Sequence, residues 1–332
     1  MDRRERVIRA IKFEEPDRVP LWLFNRDQEQ GDVLWYDFRI QEGEDRTGFH
    51  GKSISEWGYQ WHTLGDGTSG QPDAPTISTW DALERYEFPK LNVERRLAGL
   101  PEFMKCSAGH YRLPVLIITG FTTYTFLRGF ENAMIDFVEE PERAEALLDR
   151  IFAFEKELMT LAAESGMDGF HFGDDWGTQD GLIISPAMWR RIFKPRYRDQ
   201  FEHAHRLGLH VWFHCCGNMA SILPDFHEIG VDVMNIAQPN VVDIDAVSQQ
   251  LRGKQCFMVP ISYQTVSISG TPTEICEEAR RLHGLLASER GGFIGYVEEY
   301  GCMGMSDENY QSCVQAFRSL PGIAAAEECS TP

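Results

Sequence analysis

The chain lacks any run of eighteen apolar residues, so its sequence offers no membrane-spanning helix. Its opening, MDRRERVIRA, is charged from the second position and lacks the apolar stretch of a signal peptide. Both absences lead us to expect a cytoplasmic protein. Basic residues are scarce, with 32 Lys and Arg against 51 Asp and Glu and a net charge of −19. A surface of that sign repels phosphate backbones, and no basic cluster offsets it, so nucleic acid is not an expected partner. No apolar run leads into a Gly-rich dinucleotide turn, which argues against a nucleotide-binding open sheet. No internal repeat or low-complexity segment is present. There are eight cysteines, but without a secretory context they read as reduced thiols, free for metal or chemistry, rather than as a disulfide framework.

What is present is alternation. Val7, Ile8 and Ile11 share one side of a short helix that ends before Pro16, and RVPLWLF follows as a first strand. Residues 26–110 are irregular and rich in Gly, Asp and aromatics, with the composition of an insertion or lid between strands. From residue 111 strands and helices alternate. LPVLIITG, MDGFHFGDD, LHVWFH, VDVMNIAQ, QCFMVPISY and GGFIGYVEE read as buried strands. Helices are expected over 142–165, after the Ser185-Pro186 cap, over ASILPDFHEIG, after the Thr271–Glu274 capping box, and over SDENYQSCVQAFRSL. This pattern predicts an α/β fold with a parallel sheet, preferably a closed (β/α)8 TIM barrel, in one domain spanning residues 1–332.

In such a barrel, function gathers at the C-terminal ends of the strands. There the sequence places Asp174 and Asp175, His214 and Cys216, Gln238, Tyr263, Glu298, Glu299 and Cys302. On a strand, i and i+2 share a face, so His214 and Cys216 point together while Cys215 points away. Imidazole and thiolate both suit zinc, and a third ligand must then come from another strand end. The competing reading keeps His214 as a hydrogen-bonded core histidine and Cys216 as an apolar filler. Asp174 is the candidate general base or donor-holding group, with Asp175, Gln238 and Tyr263 as substrate contacts. DFHEIG matches a cobalamin-binding D-x-H-x-x-G pattern, but it falls in a helix pattern without the companion elements, and His227 is set aside.

Several segments, in order, resemble the uroporphyrinogen decarboxylase superfamily: RRERVIRAIKFEEPDRVPLW, GMDGFHFGDDWGTQDGLIISPAMWRRIFKPRY, HCCGNMASILPDFHEIGVDVMN, and GGFIGYVEE with DENYQSCVQAF. The resemblance implies a (β/α)8 barrel with its pocket at the strand ends. True uroporphyrinogen decarboxylases carry an arginine-rich stretch after the first strand, where this chain has WLFNRDQEQGD. Its H-x-C-G segment is instead similar to the branch of zinc methyltransferases that work with corrinoid proteins. That likeness implies zinc on His214 and Cys216, with Cys302, Glu299 or Glu298 as third ligand. It also implies a corrinoid on a separate partner protein and a small methyl donor or acceptor. The alternatives are decarboxylation of a carboxylated substrate, served by Arg26, Arg128 and Arg191, or a non-catalytic barrel that binds a tetrapyrrole or corrinoid.

Overall fold

The short apolar runs are strands buried on both faces, as a parallel sheet covered by helices requires. The computed structural model describes residues 1–43, 52–62 and 71–320, with the side chains of Lys52 and Cys302 outside that description. Eight strands form one sheet: β1 (Leu21–Phe24), β2 (Val33–Asp37), β3 (Tyr111–Leu116), β4 (Gly169–Gly173), β5 (His210–Cys215), β6 (Val233–Ile236), β7 (Cys256–Pro260) and β8 (Phe293–Glu298). Their order is β1-β8-β7-β6-β5-β4-β3-β2, and neighbouring strands in that order pair in parallel. The two ends meet where Asp32 N–H donates to the Leu21 carbonyl at 2.7 Å, closing the ring into the expected (β/α)8 barrel.

That seam is held by charge as well as backbone. Asp32 is fully buried, accepts the Leu21 N–H at 2.8 Å, and pairs with Arg6 at 2.7 Å and Arg18 at 2.8 Å. Arg6 sits on α1 (Arg3–Lys12), whose N-terminus is capped by Asp2 accepting from Glu5 N–H. The apolar side of α1 (Val7, Ala10 and Ile11) plugs the N-terminal end of the barrel. There it packs with Trp22, Tyr111, Leu113, Trp212, Met258 and Ile294. Each fully buried large side chain in that plug contributes roughly 1.5–3 kcal/mol.

Helices cover the outside. β3 leads into α2 (Gly120–Arg128), α3 (Phe130–Glu139) and α4 (Pro141–Glu164). β4 leads into α5 (Pro186–Ile192) and α6 (Lys194–Arg206), and β5 into α7 (Leu223–Glu228). β6, β7 and β8 lead into α8 (Ile244–Leu251), α9 (Pro272–Leu286) and α10 (Asp307–Arg318). The Ser185 cap and the Thr271–Glu274 capping box form as the sequence predicts. His227 lies on α7 with Nδ1 3.2 Å from Gln255 Oε1, a helix position rather than a cofactor loop.

Residues 26–110 differ from expectation. They include β2, a full barrel strand, so the insertion proper begins only after Asp37. The short VLWYD run is not set off by the turn and helix signals that mark the later strands, because a single 3-10 turn (Gln28–Gln30) replaces the helix between β1 and β2. Beyond β2 lie a four-stranded antiparallel sheet and short helices at Trp80–Leu83, Val93–Arg96 and Leu100–Cys106. The sheet docks on the barrel flank through Trp57 against Phe154 of α4, at 5.4 Å between ring centres, and through Tyr59 and Trp61 against Phe126 of α2. Among the described residues, no helix is long and apolar enough to cross a membrane.

Removing the seam carboxylate takes one of the two ion pairs of buried Arg6, which keeps Asp17, and also strips Arg18 and the buried Leu21 N–H of their acceptor. Asp32→Ala is expected to lower the free energy of unfolding by about 3–5 kcal/mol. Urea denaturation checks this, and a loss under about 1 kcal/mol would show that backbone pairing alone closes the barrel.

Candidate metal centre at the barrel mouth

The site starts with two strand ends that continue into touching loops. β4 and β5 pair in register up to Gly173 opposite His214, and Asp174 N–H extends the ladder to the His214 carbonyl at 3.1 Å. Beyond it the backbones meet at Gly177 and Gly217. A Cβ on Gly217 would lie 2.2 Å from the Gly177 carbonyl oxygen, and one on Gly177 would lie 2.4 Å from Asn218 N. Gly177 N–H donates to the Cys216 carbonyl at 3.2 Å, and Asn218 N–H to the Thr178 carbonyl at 2.7 Å. Trp176, fully buried and stacked on Phe121 at 4.3 Å, anchors the same loop. This contact brings Asp175 beside Cys216.

His214 Nε2 lies 3.5 Å from Cys216 Sγ and 3.7 Å from Asp175 Oδ1, and the three donor atoms all fall within 4.8 Å of one another. Asp175 Oδ1 also accepts the Cys216 N–H at 2.7 Å. The Asp175 side chain is 49% exposed and that of His214 24%, so the group opens toward the mouth. Burial, and next the charge of Asp175, push the Cys216 thiol well up. His214 Nδ1 faces Asn235 Oδ1 at 2.6 Å. One layer deeper, His171 lies 6.1 Å from His214 between ring centres and packs edge-on against Trp22. Burial, then the neighbouring His214, bring His171 down to about 3, so it is neutral.

The donor set fits zinc. Ligand bonds of about 2.0–2.3 Å at tetrahedral angles put donor atoms roughly 3.3–3.6 Å apart, close to the separations of Cys216 Sγ and Asp175 Oδ1 from His214 Nε2. The mixed N, S and O set also suits that ion.

The two adjacent aspartates diverge. Asp174 is fully buried and turned away from the mouth. Its carboxylate accepts from Phe121 N–H at 2.9 Å, Thr122 N–H at 2.8 Å, Thr122 Oγ1 at 2.7 Å and the Tyr197 hydroxyl. These groups include the first N–H donors of α2, so Asp174 acts as that helix's cap from another strand. Burial raises Asp174 to about 7 against those donors. Beside it, Glu155 accepts from Gly120 N–H at 2.8 Å and from Gln200 Nε2, and burial raises it to about 8.

The other sequence candidates surround the donor group. Gln238 Oε1 accepts Gly217 N–H at 2.7 Å and Gln179 Nε2 at 3.2 Å, tying down the β5 loop. The Tyr263 ring packs on Tyr300 at 4.6 Å, and burial, then Cys216, raise its phenol. Glu298 ends β8, accepts from the Tyr296 and Tyr300 hydroxyls at 2.8 and 3.0 Å, and is raised by burial. Glu299 accepts Gly301 N–H at 2.8 Å. Neither glutamate joins the group of three among the described residues; Asp175 does. Cys302 lies in the turn Gly301–Met303, and its side chain is outside the described residues. Arg26 pairs with Asp307, Arg128 with buried Asp136, and Arg191 with Glu145. Asn235 and Glu155 escape the sequence reading; a lone Asn inside VDVMNIAQ is the one signal that pointed to the first.

Two consequences are measurable. Gly217→Ala must push the β4 and β5 loops apart, at an expected cost of about 2 kcal/mol or more, because backbone cannot swing away as a side chain can. Thermal and urea unfolding check this, and a neutral variant would mean that the loop contact is slack. The Glu155 carboxyl is raised in the fold, so its contribution is full below about pH 4.5 and is lost as pH rises through about 8. Between pH 5 and 8 the stability of Glu155→Gln should therefore fall less steeply than wild type, by up to about 1.4 kcal/mol per pH unit. Parallel stability profiles for the two proteins would remove Glu155 as the titrating group.

The comparisons with known proteins bear on this arrangement. The model of the family described as Uroporphyrinogen decarboxylase (URO-D) matches residues 64–318. Among solved structures, a methyltransferase from Methanosarcina mazei superposes with a TM-score of 0.65 at 16% identity, over 96% of this chain and 98% of its own. That likeness supports the fold. A native xylanase 10B from Thermotoga maritima gives a TM-score of 0.43 at 8% identity, over 96% of this chain and 98% of its own. A D-psicose 3-epimerase gives 0.36 at 10%, over 67% and 82%. No curated protein matches the sequence. The family match spans most of the barrel and every described donor of the mouth, and the chain belongs to the uroporphyrinogen decarboxylase (URO-D) family.

Proposed function

We propose that this protein is a zinc-dependent methyltransferase that exchanges a methyl group between a small substrate and a corrinoid carried by a separate partner protein. One observation carries the reading: Asp175, His214 and Cys216 present an O, N and S donor within 4.8 Å of one another at the barrel mouth. Zinc held there would act as a Lewis acid, lowering the pKa of an acceptor thiol or polarising the leaving group of a methyl donor. Asp175 takes the role of third ligand, with Cys302 as a further candidate from the turn after β8. Asp174 serves as a positioning residue: it holds the start of α2 and the strand end from which Asp175 projects. Gln238 fixes the Cys216–Gly217 loop, while Tyr263, Tyr300 and Glu298 form a wall of the mouth that orients substrate. The methyltransferase from Methanosarcina mazei, of the same fold, supports this choice within the family.

Decarboxylation of a polycarboxylated tetrapyrrole is the weaker reading. It calls for cations that grip carboxylates, and Arg26, Arg128 and Arg191 already pair with acids of the protein. The mouth itself carries Asp175, Glu298 and Glu299.

Zinc per chain, measured by elemental analysis on protein purified without added metal or chelator, tests the reading beside Cys216→Ser and Asp175→Asn. Wild type should hold close to one zinc, and Cys216→Ser should retain more than about tenfold less after dialysis. Asp175→Asn should weaken retention to a smaller degree, since a neutral oxygen ligand remains. A wild type that takes up no zinc even when offered it would sink the metal reading. Stoichiometric zinc without methyl exchange to any free or protein-bound corrinoid would leave a non-catalytic binding barrel.

A further inference from the structure

We infer that Asn235 is a positioning residue that decides which ring nitrogen of His214 is free to bind a metal. The inference rests on the metal reading above for its functional consequence, but not for the hydrogen-bond geometry that carries it. The barrel register puts three residues side by side on adjacent strands: His214 of β5 opposite Asn235 of β6, and Asn235 opposite Met258 of β7. Asn235 is 1% exposed, so bulk water does not reach its amide. Its Nδ2 donates to the Met258 carbonyl at 2.8 Å. A carbonyl only accepts, so the NH2 end of the amide must face β7, and Oδ1 is thereby turned to His214 Nδ1 at 2.6 Å. Oδ1 also only accepts. The proton of the neutral imidazole therefore sits on Nδ1, and the lone pair sits on Nε2, the atom that faces Cys216 and Asp175.

The arrangement acts as a switch with one setting. An imidazole in water favours the proton on Nε2, the tautomer that could not bind at this place. Asn235 reverses that preference, and because its own orientation is set by a backbone carbonyl, the reversal is built into the sheet and not into a mobile side chain. The same bond fixes the ring plane. Replacing Asn235 by an apolar residue leaves His214 free to turn and to carry its proton on the wrong nitrogen.

The test uses the full chain in three forms: wild type, Asn235→Leu and Asn235→Asp. Nitrogen-15 NMR of the imidazoles in metal-free protein, with His214→Gln to assign the signal, reads the tautomer directly. The expected result is Nδ1–H in wild type and in Asn235→Asp, where one oxygen still accepts from His214 and the other, protonated, donates to the Met258 carbonyl, and a shift toward Nε2–H in Asn235→Leu. Competition with a zinc chelator should then show roughly 10–100-fold weaker zinc binding in Asn235→Leu, rescued in Asn235→Asp. Wild-type His214 with its proton on Nε2 overturns the inference, as does folded Asn235→Leu that holds zinc with wild-type affinity. If Asn235→Leu fails to fold, the wild-type tautomer still decides. A wild type that binds no zinc but carries the Nδ1 proton refutes the metal reading while upholding the placement of His214.

Discussion

The mouth depends on the backbone contact between Gly177 and Gly217. Side chains on successive strand ends of a barrel normally diverge as the loops splay outward. Here two loops without a Cβ at the crossing press together, each donating one N–H to the other. Asp175 is the residue two before one glycine, and Cys216 is the residue before the other, so the contact sets their separation directly. Without it, a strand-borne His and Cys would remain a pair, and a pair does not hold zinc. The fully buried Trp176 and the Gln238 amide serve the same contact from either side, one by packing and one by hydrogen bonding.

The same strand end makes two adjacent carboxylates do different work. Asp174 turns inward and caps α2, where the helix dipole and four donors offset the cost of burying a carboxylate. Asp175 turns outward and keeps half its surface in water. Their neighbours follow: Tyr197 and Glu155 belong to the buried set, Cys216 and His214 to the open one. The charge chemistry is thereby separated, with the carboxyl groups pushed toward neutrality under α2 and a metal-ready group at the mouth. A substitution at Asp174 would reach the mouth only through α2 and the strand end.

The barrel and the pairing of His214 with Cys216 were legible in the sequence because both depend on local periodicity. Alternating short apolar runs and helix signals predict the fold, and a two-residue spacing on a strand predicts a shared face. That Asp175 and not Asp174 stands beside His214 and Cys216 was not legible, since adjacent acids in GDDWG differ only in which way the backbone turns after the strand. β2 stayed hidden for lack of the helix that punctuates every later strand. Asn235 is not legible in the sequence because its place comes from register: it stands next to His214 across one ladder and to Met258 across the next. Spacing along one strand is written in the sequence; spacing across strands is not.

The charges around the mouth bear on what it can bind. A net charge of −19 says little about a pocket, but the local ion pairs do. Arg26 reaches Asp307 and stacks on Tyr310, and Arg128 is enclosed by Asp136, the Ile77 carbonyl and the Trp80 ring. These cations are satisfied by the fold, whereas the half-exposed Asp175 carboxylate accepts the Cys216 N–H and faces the His214 ring. A ligand rich in carboxylates would have to displace existing pairs and face Glu298 and Asp175 without compensation. A divalent cation reverses that balance: it offsets Asp175, favours the thiolate that burial and the charge of Asp175 oppose at Cys216, and gives the lone pair of His214 a partner. The electrostatics of the mouth thus favour a cation over a polycarboxylate, and the Asn235 bond to His214 Nδ1 leaves Nε2 facing the same space.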